Sequence, residues 1–190
     1  MSPTKFFTHL RRGCAAVAAG LLLASCGGGE EVIDPFVPTR VLAFGDELSL
    51  VEADCHKYSI NAFRQVTAAD GTVTESTTEL DCTRNPVWTQ SVAASFGLPF
   101  DRCRGAATEA GGQVLAQAGH KVADLPAQIA AVQDAALNDD DLALVMLGMH
   151  DVLELYAQYP TTGRAELLAA AQARGVSLGR QLNALAERGP

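Results

Sequence analysis

Positive charge and aromatic side chains are scarce in this chain. Its 190 residues hold 14 Lys and Arg against 22 Asp and Glu, and aromatic residues make up 6%. The formal net charge is -8, and the sequence has no basic block and no internal repeat. A nucleic-acid partner requires clustered positive charge, so we expect none. The length suits one globular domain together with a leader.

The chain also lacks an apolar run long enough to span a bilayer as a mature helix. Its most apolar stretch, residues 14–25, follows a positively charged start, which is the layout of a secretory signal. The stretch ends in Leu-Ala-Ser-Cys, which resembles a bacterial lipobox. That resemblance implies cleavage before Cys26, a lipid on the Cys26 sulfur, and membrane anchoring in the bacterial cell envelope. Gly27, in place of aspartate, favours the outer membrane, facing the periplasm or the exterior. The alternative is an ordinary signal with a chance cysteine.

This interpretation divides the chain into three regions. Residues 1–25 are the lipoprotein signal peptide, residues 26–40 are a lipidated tether, and residues 41–190 are the folded domain. The tether carries glycines, acids and two prolines, a composition that disfavours regular structure.

Cysteine usage predicts one disulfide. Five cysteines are present, of which one lies in the leader and Cys26 carries the lipid. In an oxidising compartment the remaining three give one bridge and one free thiol. We expect the bridge to be Cys82–Cys103, because these two flank one helix-and-strand unit, and Cys55 to be free. A zinc site using Cys55 and His56 is the alternative, but no pair has metal-ligand spacing, so we expect no metal and no cofactor.

Apolar runs and helical stripes alternate along the folded domain. Strands are expected at residues 41–45, 98–103 and 141–148, the last as a central strand covered on both faces. Residues 64–81 form either a β-hairpin around Asp70-Gly71 or a surface excursion. Four helices are expected: from Asn85-Pro86 to Gly97, from about Val122 onward, from His150 to Tyr159, and over 164–187. In the second of them Leu125, Ile129 and Val132 are in phase. A short strand is expected at 57–63. This alternation predicts an α/β fold with a parallel sheet.

Three stretches together resemble the motifs of the SGNH, or GDSL-type, hydrolases. They are FGDELS at 44–49, AGHKV at 118–122 and LGMHD at 147–151, and NPVWTQSVAASFGL at 85–98 resembles a fourth family segment. The resemblance covers residues 41–190. It implies a flavodoxin-like three-layer fold and ester hydrolysis at the carboxyl ends of parallel strands, with an acyl ester or a glycan as the ligand.

The first motif departs from the family at its most important position. Gly45 and Asp46 match, but Glu47 stands where the family has its serine nucleophile. Ser49 is the alternative nucleophile. On an extended stretch it would point to the same side as Glu47, whereas a helical turn would turn it away.

The other motifs carry the oxyanion donors. The resemblance assigns Gly119 as a backbone donor. Gly148 and Asp151 match the third motif, but His150 replaces the asparagine whose side chain would complete the oxyanion hole. At the start of a helix a neutral His150 could donate one hydrogen bond and mimic that asparagine. The family's C-terminal D-x-x-H block, which supplies the base, is absent from residues 41–190.

Three interpretations therefore stay open. The chain is an ester hydrolase of lipids or envelope polysaccharides, active when completed by a C-terminal segment, or a non-catalytic lipoprotein of the same type, or a truncated member with its C-terminal part missing. Truncation would leave residues 141–148 as an open apolar sheet edge.

Overall fold

The computed structural model describes residues 35–103, 111–132 and 136–189. The predictions for the signal peptide and for Cys26 lie outside these residues. Of the predicted tether, residues 35–40 are described: residues 35–39 contain neither helix nor strand, whereas Arg40 already belongs to the first strand. None of the described helices is both long and apolar enough to cross a membrane.

A parallel three-stranded sheet lies at the centre of an α/β fold. Its strands are β1 (Arg40–Gly45), β4 (Gly112–Val114) and β5 (Asp141–Met146), in the order β4-β1-β5. Leu42 pairs with Gln113 on one side and with Ala143 on the other. The first and third predicted strands are therefore confirmed, and their apolar runs explain why they form strands.

Helices cover both faces of this sheet. Alternate side chains of β1 enter two different apolar clusters, as the two-residue period of a strand requires. Val41 and Ala43 pack with Ala93 and Phe100 on one face. On the other face Leu42 and Phe44 pack with Leu125, Ile129 and Leu185. Both faces of β1 are therefore removed from water, which favours the sheet by the hydrophobic effect.

The prediction of a second strand at residues 98–103 is wrong. Phe100 makes only an isolated parallel bridge to Gly112, and Asp101–Cys103 form a 3₁₀ turn. The sheet instead takes its strand from β4, in a stretch where the sequence analysis predicted none. A Cβ on Gly112 would lie 2.6 Å from Cδ1 of Phe100, so this position requires glycine, a residue that weakens the sequence signal of a strand.

The prediction that 141–148 is a central strand is also wrong within the described residues. β1 is central, and β5 pairs only with β1. β5 is partly exposed, and Met146 at its end is 40% exposed. Within the described residues, one side of β5 has no neighbouring strand. This side is the open sheet edge that the sequence analysis considered for residues 141–148.

Four helices accompany the sheet in the described residues: α1 (Trp88–Ser95), α2 (Leu125–Ala130), α3 (Met149–Tyr156) and α4 (Arg164–Ala186). Helix α1 begins at Trp88, later than the start expected at Asn85-Pro86: Val87 is the residue before the helix, and Asn85 has a left-handed φ of 49°. A 3₁₀ turn, Val122–Asp124, precedes α2, which ends before Val132.

A β-hairpin projects from the fold. It is formed by β2 (Phe63–Thr67) and β3 (Val73–Leu80), which are antiparallel, with Asp70 and Gly71 in the connecting turn. Residues 63–79 are all exposed except the half-buried Ser76. The hairpin interpretation is thus confirmed, but the short strand expected at 57–63 contributes only Phe63.

The connection from the hairpin to α1 is held by a disulfide. Cys82 and Cys103 form it, with their Cα atoms 5.6 Å apart, and Cys55 is free. The bridge and the free thiol are both as the sequence predicted.

Candidate functional site

The candidate site begins at a tight turn after β1. Gly45 has a φ of 147°, and a Cβ there would lie 2.3 Å from the carbonyl oxygen of Met146. Only glycine fits this conformation and this close approach. The chain then folds back, because the N–H of Ser49 donates to the carbonyl oxygen of Asp46 over 3.0 Å. This turn presents Glu47 at the carboxyl end of β1.

Asp46 is fully buried beneath this turn. Its Oδ1 accepts a hydrogen bond of 3.0 Å from the N–H of Leu48, whereas its Oδ2 has no hydrogen-bond partner among the described residues. Burial is the main cause that raises the pKa of Asp46, and the nearby Glu47 carboxylate adds to the effect. Asp46 therefore fixes the shape of the turn at an electrostatic cost.

Three predicted site residues meet at the surface of this turn. The N–H of Gly119 donates to Oε2 of Glu47 over 3.0 Å. Nε2 of His150, in the first turn of α3, lies 2.8 Å from both carboxylate oxygens of Glu47. The side chains of His150 and Glu47 are 25% and 15% exposed. The carboxylate therefore accepts from both groups that the family resemblance assigns as oxyanion donors.

These contacts favour the ionised form of Glu47. Burial raises the pKa of Glu47, but the hydrogen bonds from the backbone N–H groups of Gly119 and Glu47 and from His150 lower it by more. The net pKa lies below the ordinary value. The site consequently contains a resident anion at neutral pH.

Gln128 is a site residue that the sequence did not reveal. It is buried on α2, where its Oε1 accepts from the N–H of Gly45 and its Nε2 donates to the carbonyl oxygen of Gly45, both over 2.8 Å. The second N–H of Nε2 points at Nδ1 of His120, also at 2.8 Å. Because Gly45 supplies one donor and one acceptor, the amide can have only this orientation. Nδ1 of His120 is then an acceptor, and the Gly119 loop is fixed against the turn after β1.

Asp151 supports the site without facing it. Its Oδ2 accepts a hydrogen bond of 2.9 Å from the N–H of Val122, and Nη1 of Arg174 lies 3.4 Å from Oδ1. Gly148, with a φ of 124°, directly precedes α3. Together they join α3 to the segment that carries Gly119. Asp151 and Gly148 are therefore structural.

Ser49 is turned away from the site. It is fully buried, and its Oγ accepts a hydrogen bond of 3.2 Å from Nε1 of Trp88. Its carbonyl oxygen accepts from Oγ1 of Thr89 over 3.3 Å. The turn at residues 46–49 produces this orientation, which was one of the two expected from the sequence. Ser49 thus anchors α1 to the turn and is not accessible to a substrate.

The geometry limits what this site can do chemically. A carboxylate occupies the place of the serine, and the two donors that would stabilise a developing oxyanion are already bonded to it. The described residues contain no group of three or more His, Cys, Asp or Glu side chains that could hold a metal ion. Among the residues that the structure describes, the site therefore offers a carboxylate–imidazole pair, and the hydroxyl of Ser49 is buried.

Comparison with known proteins returned no match among family models, curated proteins or solved structures. The resemblance to GDSL-type hydrolases therefore depends on the residues of this chain alone.

Proposed function

We propose that this protein is a non-catalytic lipoprotein of the SGNH, or GDSL-type, hydrolase class, with a flavodoxin-like fold and an ester-hydrolysis site closed by Glu47. The order of the three motifs along the chain supports the class. So does their location, since two of them follow β1 and β5 of a parallel sheet at the strand ends. Ligand sites of such sheets lie at the carboxyl ends of the strands.

The observation that carries the proposal is the pair of bonds to the Glu47 carboxylate. In an ester hydrolase the oxyanion donors must be free until negative charge develops on the substrate. Here Gly119 N–H and His150 Nε2 are both within hydrogen-bond distance of Glu47. The Glu47 carboxylate therefore occupies the position in which the negative charge of the ester-hydrolysis reaction would develop.

Catalysis by another route is also opposed by the geometry. An ester carbonyl approaching the donors would meet the Glu47 anion, and attack by that carboxylate would give a mixed anhydride. Ser49 cannot replace the missing serine, because it is fully buried and bonded to Trp88. Loss of a nucleophile alone removes on the order of 10⁶-fold in rate in a serine protease.

An activity assay tests this proposal. The purified chain would be incubated with short-chain p-nitrophenyl esters and with a fluorophosphonate probe, beside the variants Glu47→Gln and Ser49→Ala. We expect no turnover above the no-protein blank and no labelling in any sample. Turnover that Glu47→Gln abolishes, or labelling that Ser49→Ala abolishes, would favour the alternative of an active ester hydrolase.

The cell-envelope location is part of the same proposal and has its own test. The lipobox-like Leu-Ala-Ser-Cys supports a lipid on Cys26. Cys26→Ser should move the protein from the membrane fraction to the soluble fraction of an expressing bacterium, and Cys55→Ser should not. A membrane-bound Cys26→Ser variant would contradict the lipid anchor.

A further inference from the structure

Three sulfur atoms belong to one small apolar cluster near the end of β3. Val51, Cys82 and Val87 form its buried centre, and Cys55 and Cys103 pack against it. Cys82 and Cys103 form the disulfide, whereas Cys55 is a free, half-buried thiol. Exchange requires a thiolate that can reach a disulfide sulfur, and this cluster supplies both partners.

The side chain of Lys57 holds the Cys55 segment against Cys82. Its Nζ donates hydrogen bonds to the carbonyl oxygens of Cys82 over 3.1 Å and of Asn85 over 2.9 Å, and a third to Arg84. Lys57 is only 4% exposed, so these contacts are interior. Cys55 precedes it by two residues and has a left-handed φ of 72°, which is uncommon for a residue with a side chain.

The same lysine places a positive charge near Cys55. Burial lowers the pKa of Lys57, and the nearby Asp81 and Cys55 act in the opposite direction. The Cys55 thiol therefore lies within the electrostatic reach of the ammonium group. The thiolate is the nucleophilic form of cysteine in such an exchange.

The two sulfurs of the disulfide have different surroundings. Nε2 of Gln90 donates to Sγ of Cys103 over 2.9 Å, which stabilises negative charge on that sulfur. Sγ of Cys82 instead lies 3.4 Å from the carbonyl oxygen of Arg102, which disfavours negative charge there. Cys103 is therefore the better leaving group, and Cys82 is the sulfur to be attacked.

We propose that Cys55, Cys82 and Cys103 form a thiol–disulfide exchange site. The Cys55 thiolate attacks Sγ of Cys82, the Cys82–Cys103 bond breaks, and a Cys55–Cys82 bond forms. The proton lost by Cys55 ends on Cys103, so the step involves no net oxidation and needs no other reactant. The free thiol thereby moves from Cys55 to Cys103. In the new state the disulfide joins the segment before the β2–β3 hairpin to the segment after it.

Trapping of free thiols tests the exchange directly. The full chain would carry Cys14→Ser and Cys26→Ser, so that only three sulfurs can react, and would be incubated with N-ethylmaleimide at about pH 8. After an acid quench, peptide mapping without reduction would locate labels and bridges. We expect label on Cys55 with the Cys82–Cys103 bridge and label on Cys103 with a Cys55–Cys82 bridge, in proportions independent of protein concentration. Label confined to Cys55 would overturn the proposal, and label on Cys82 would overturn the assigned direction of attack.

Two sets of variants separate the roles of the sulfurs. Cys103→Ser should form a Cys55–Cys82 bridge on air oxidation, whereas Cys82→Ser should keep both remaining thiols free. Gln90→Glu retains the oxygen that accepts from the N–H of Val87 but removes the donor to Cys103. It should slow labelling of Cys103 by about tenfold or more, as expected for loss of a hydrogen bond to a charged group, and the exposed Gln158→Glu should not. An unchanged rate in Gln90→Glu, or equal bridging in both cysteine variants, would contradict the assignment.

Discussion

Nε2 of His150 lies 2.8 Å from both carboxylate oxygens of Glu47. The pair joins the turn after β1 to the first turn of α3, and both side chains are largely removed from water. The contact that closes the candidate site should therefore also stabilise the fold, and it should do so in a pH-dependent way.

Glu47→Gln should lower the free energy of unfolding at neutral pH by about 1–2 kcal/mol, because a neutral amide is a weaker acceptor than a carboxylate. The pKa of Glu47 in the folded protein lies below its ordinary value. The stabilisation is thus present above the unfolded pKa and is lost as the pH falls through the folded pKa. Urea unfolding of both proteins at about pH 7 and about pH 3 measures the difference. If the two proteins differ in free energy of unfolding by the same amount at both pH values, the stabilising role of the ionised Glu47 is contradicted.

Asp46→Asn should show the opposite pH dependence. Burial raises the pKa of Asp46 in the folded protein above its ordinary value, so the folded protein binds that proton more tightly than the unfolded chain. The wild type therefore loses stability as the pH rises from the unfolded pKa through the folded pKa. The Asp46→Asn variant does not lose stability in this way, and its side-chain oxygen can still accept from the N–H of Leu48. Its stability relative to wild type should increase between about pH 3 and about pH 7, and a decrease would show that Asp46 is stabilised as an anion.

Gln128→Leu should destabilise the protein by about 2 kcal/mol, since it removes the acceptor of the buried N–H of Gly45 and one of two donors to its carbonyl oxygen, which also accepts from the N–H of Gln117. Gln158→Leu is the matched control, because Gln158 is exposed and bonds only within its own helical turn. It should change the free energy of unfolding by less than about 0.5 kcal/mol. Equal losses in the two variants would show that the bonds to Gly45 contribute little.

Asp141→Asn should also cost about 3 kcal/mol. Arg40 donates to Asp141 through Nε over 2.7 Å and through Nη2 over 2.6 Å, and Asp141 is 2% exposed. The substitution removes the buried negative charge that these two nitrogens of Arg40 contact, and breaking a buried ion pair in this way is strongly destabilising. The exposed Asp139→Asn serves as the control in thermal or urea unfolding. A wild-type-like Asp141→Asn variant would mean that the pair contributes nothing to pairing of β1 with β5.

The sequence predicted those features that depend on local composition. The apolar runs of β1 and β5, the Asp70-Gly71 turn and the last helix, α4, are all properties of contiguous residues. The resemblance to the GDSL-type motifs assigned Glu47, Gly119 and His150 to one site, and the structure brings these three residues into contact.

The features that were missed depend on contacts between distant segments. β4 forms because Gly112 fits against Phe100, and a three-residue Gly-Gln-Val strand has no pattern of its own. Gln128 resembles any polar residue of an amphipathic helix until Gly45 lies opposite its amide. The burial of Ser49 follows from the direction of one turn, which decides between the two orientations that the sequence allowed.

The β2–β3 hairpin offers a practical consequence. Its tip at Asp70 and Gly71 is exposed, and none of residues 63–79 is buried, so the apolar clusters of the fold receive no side chain from it. A short epitope or affinity tag inserted at this tip should leave the rest of the protein folded, because such sites tolerate insertion. The hairpin is therefore a convenient handle for labelling or immobilising the protein at a position remote in sequence from both of its ends.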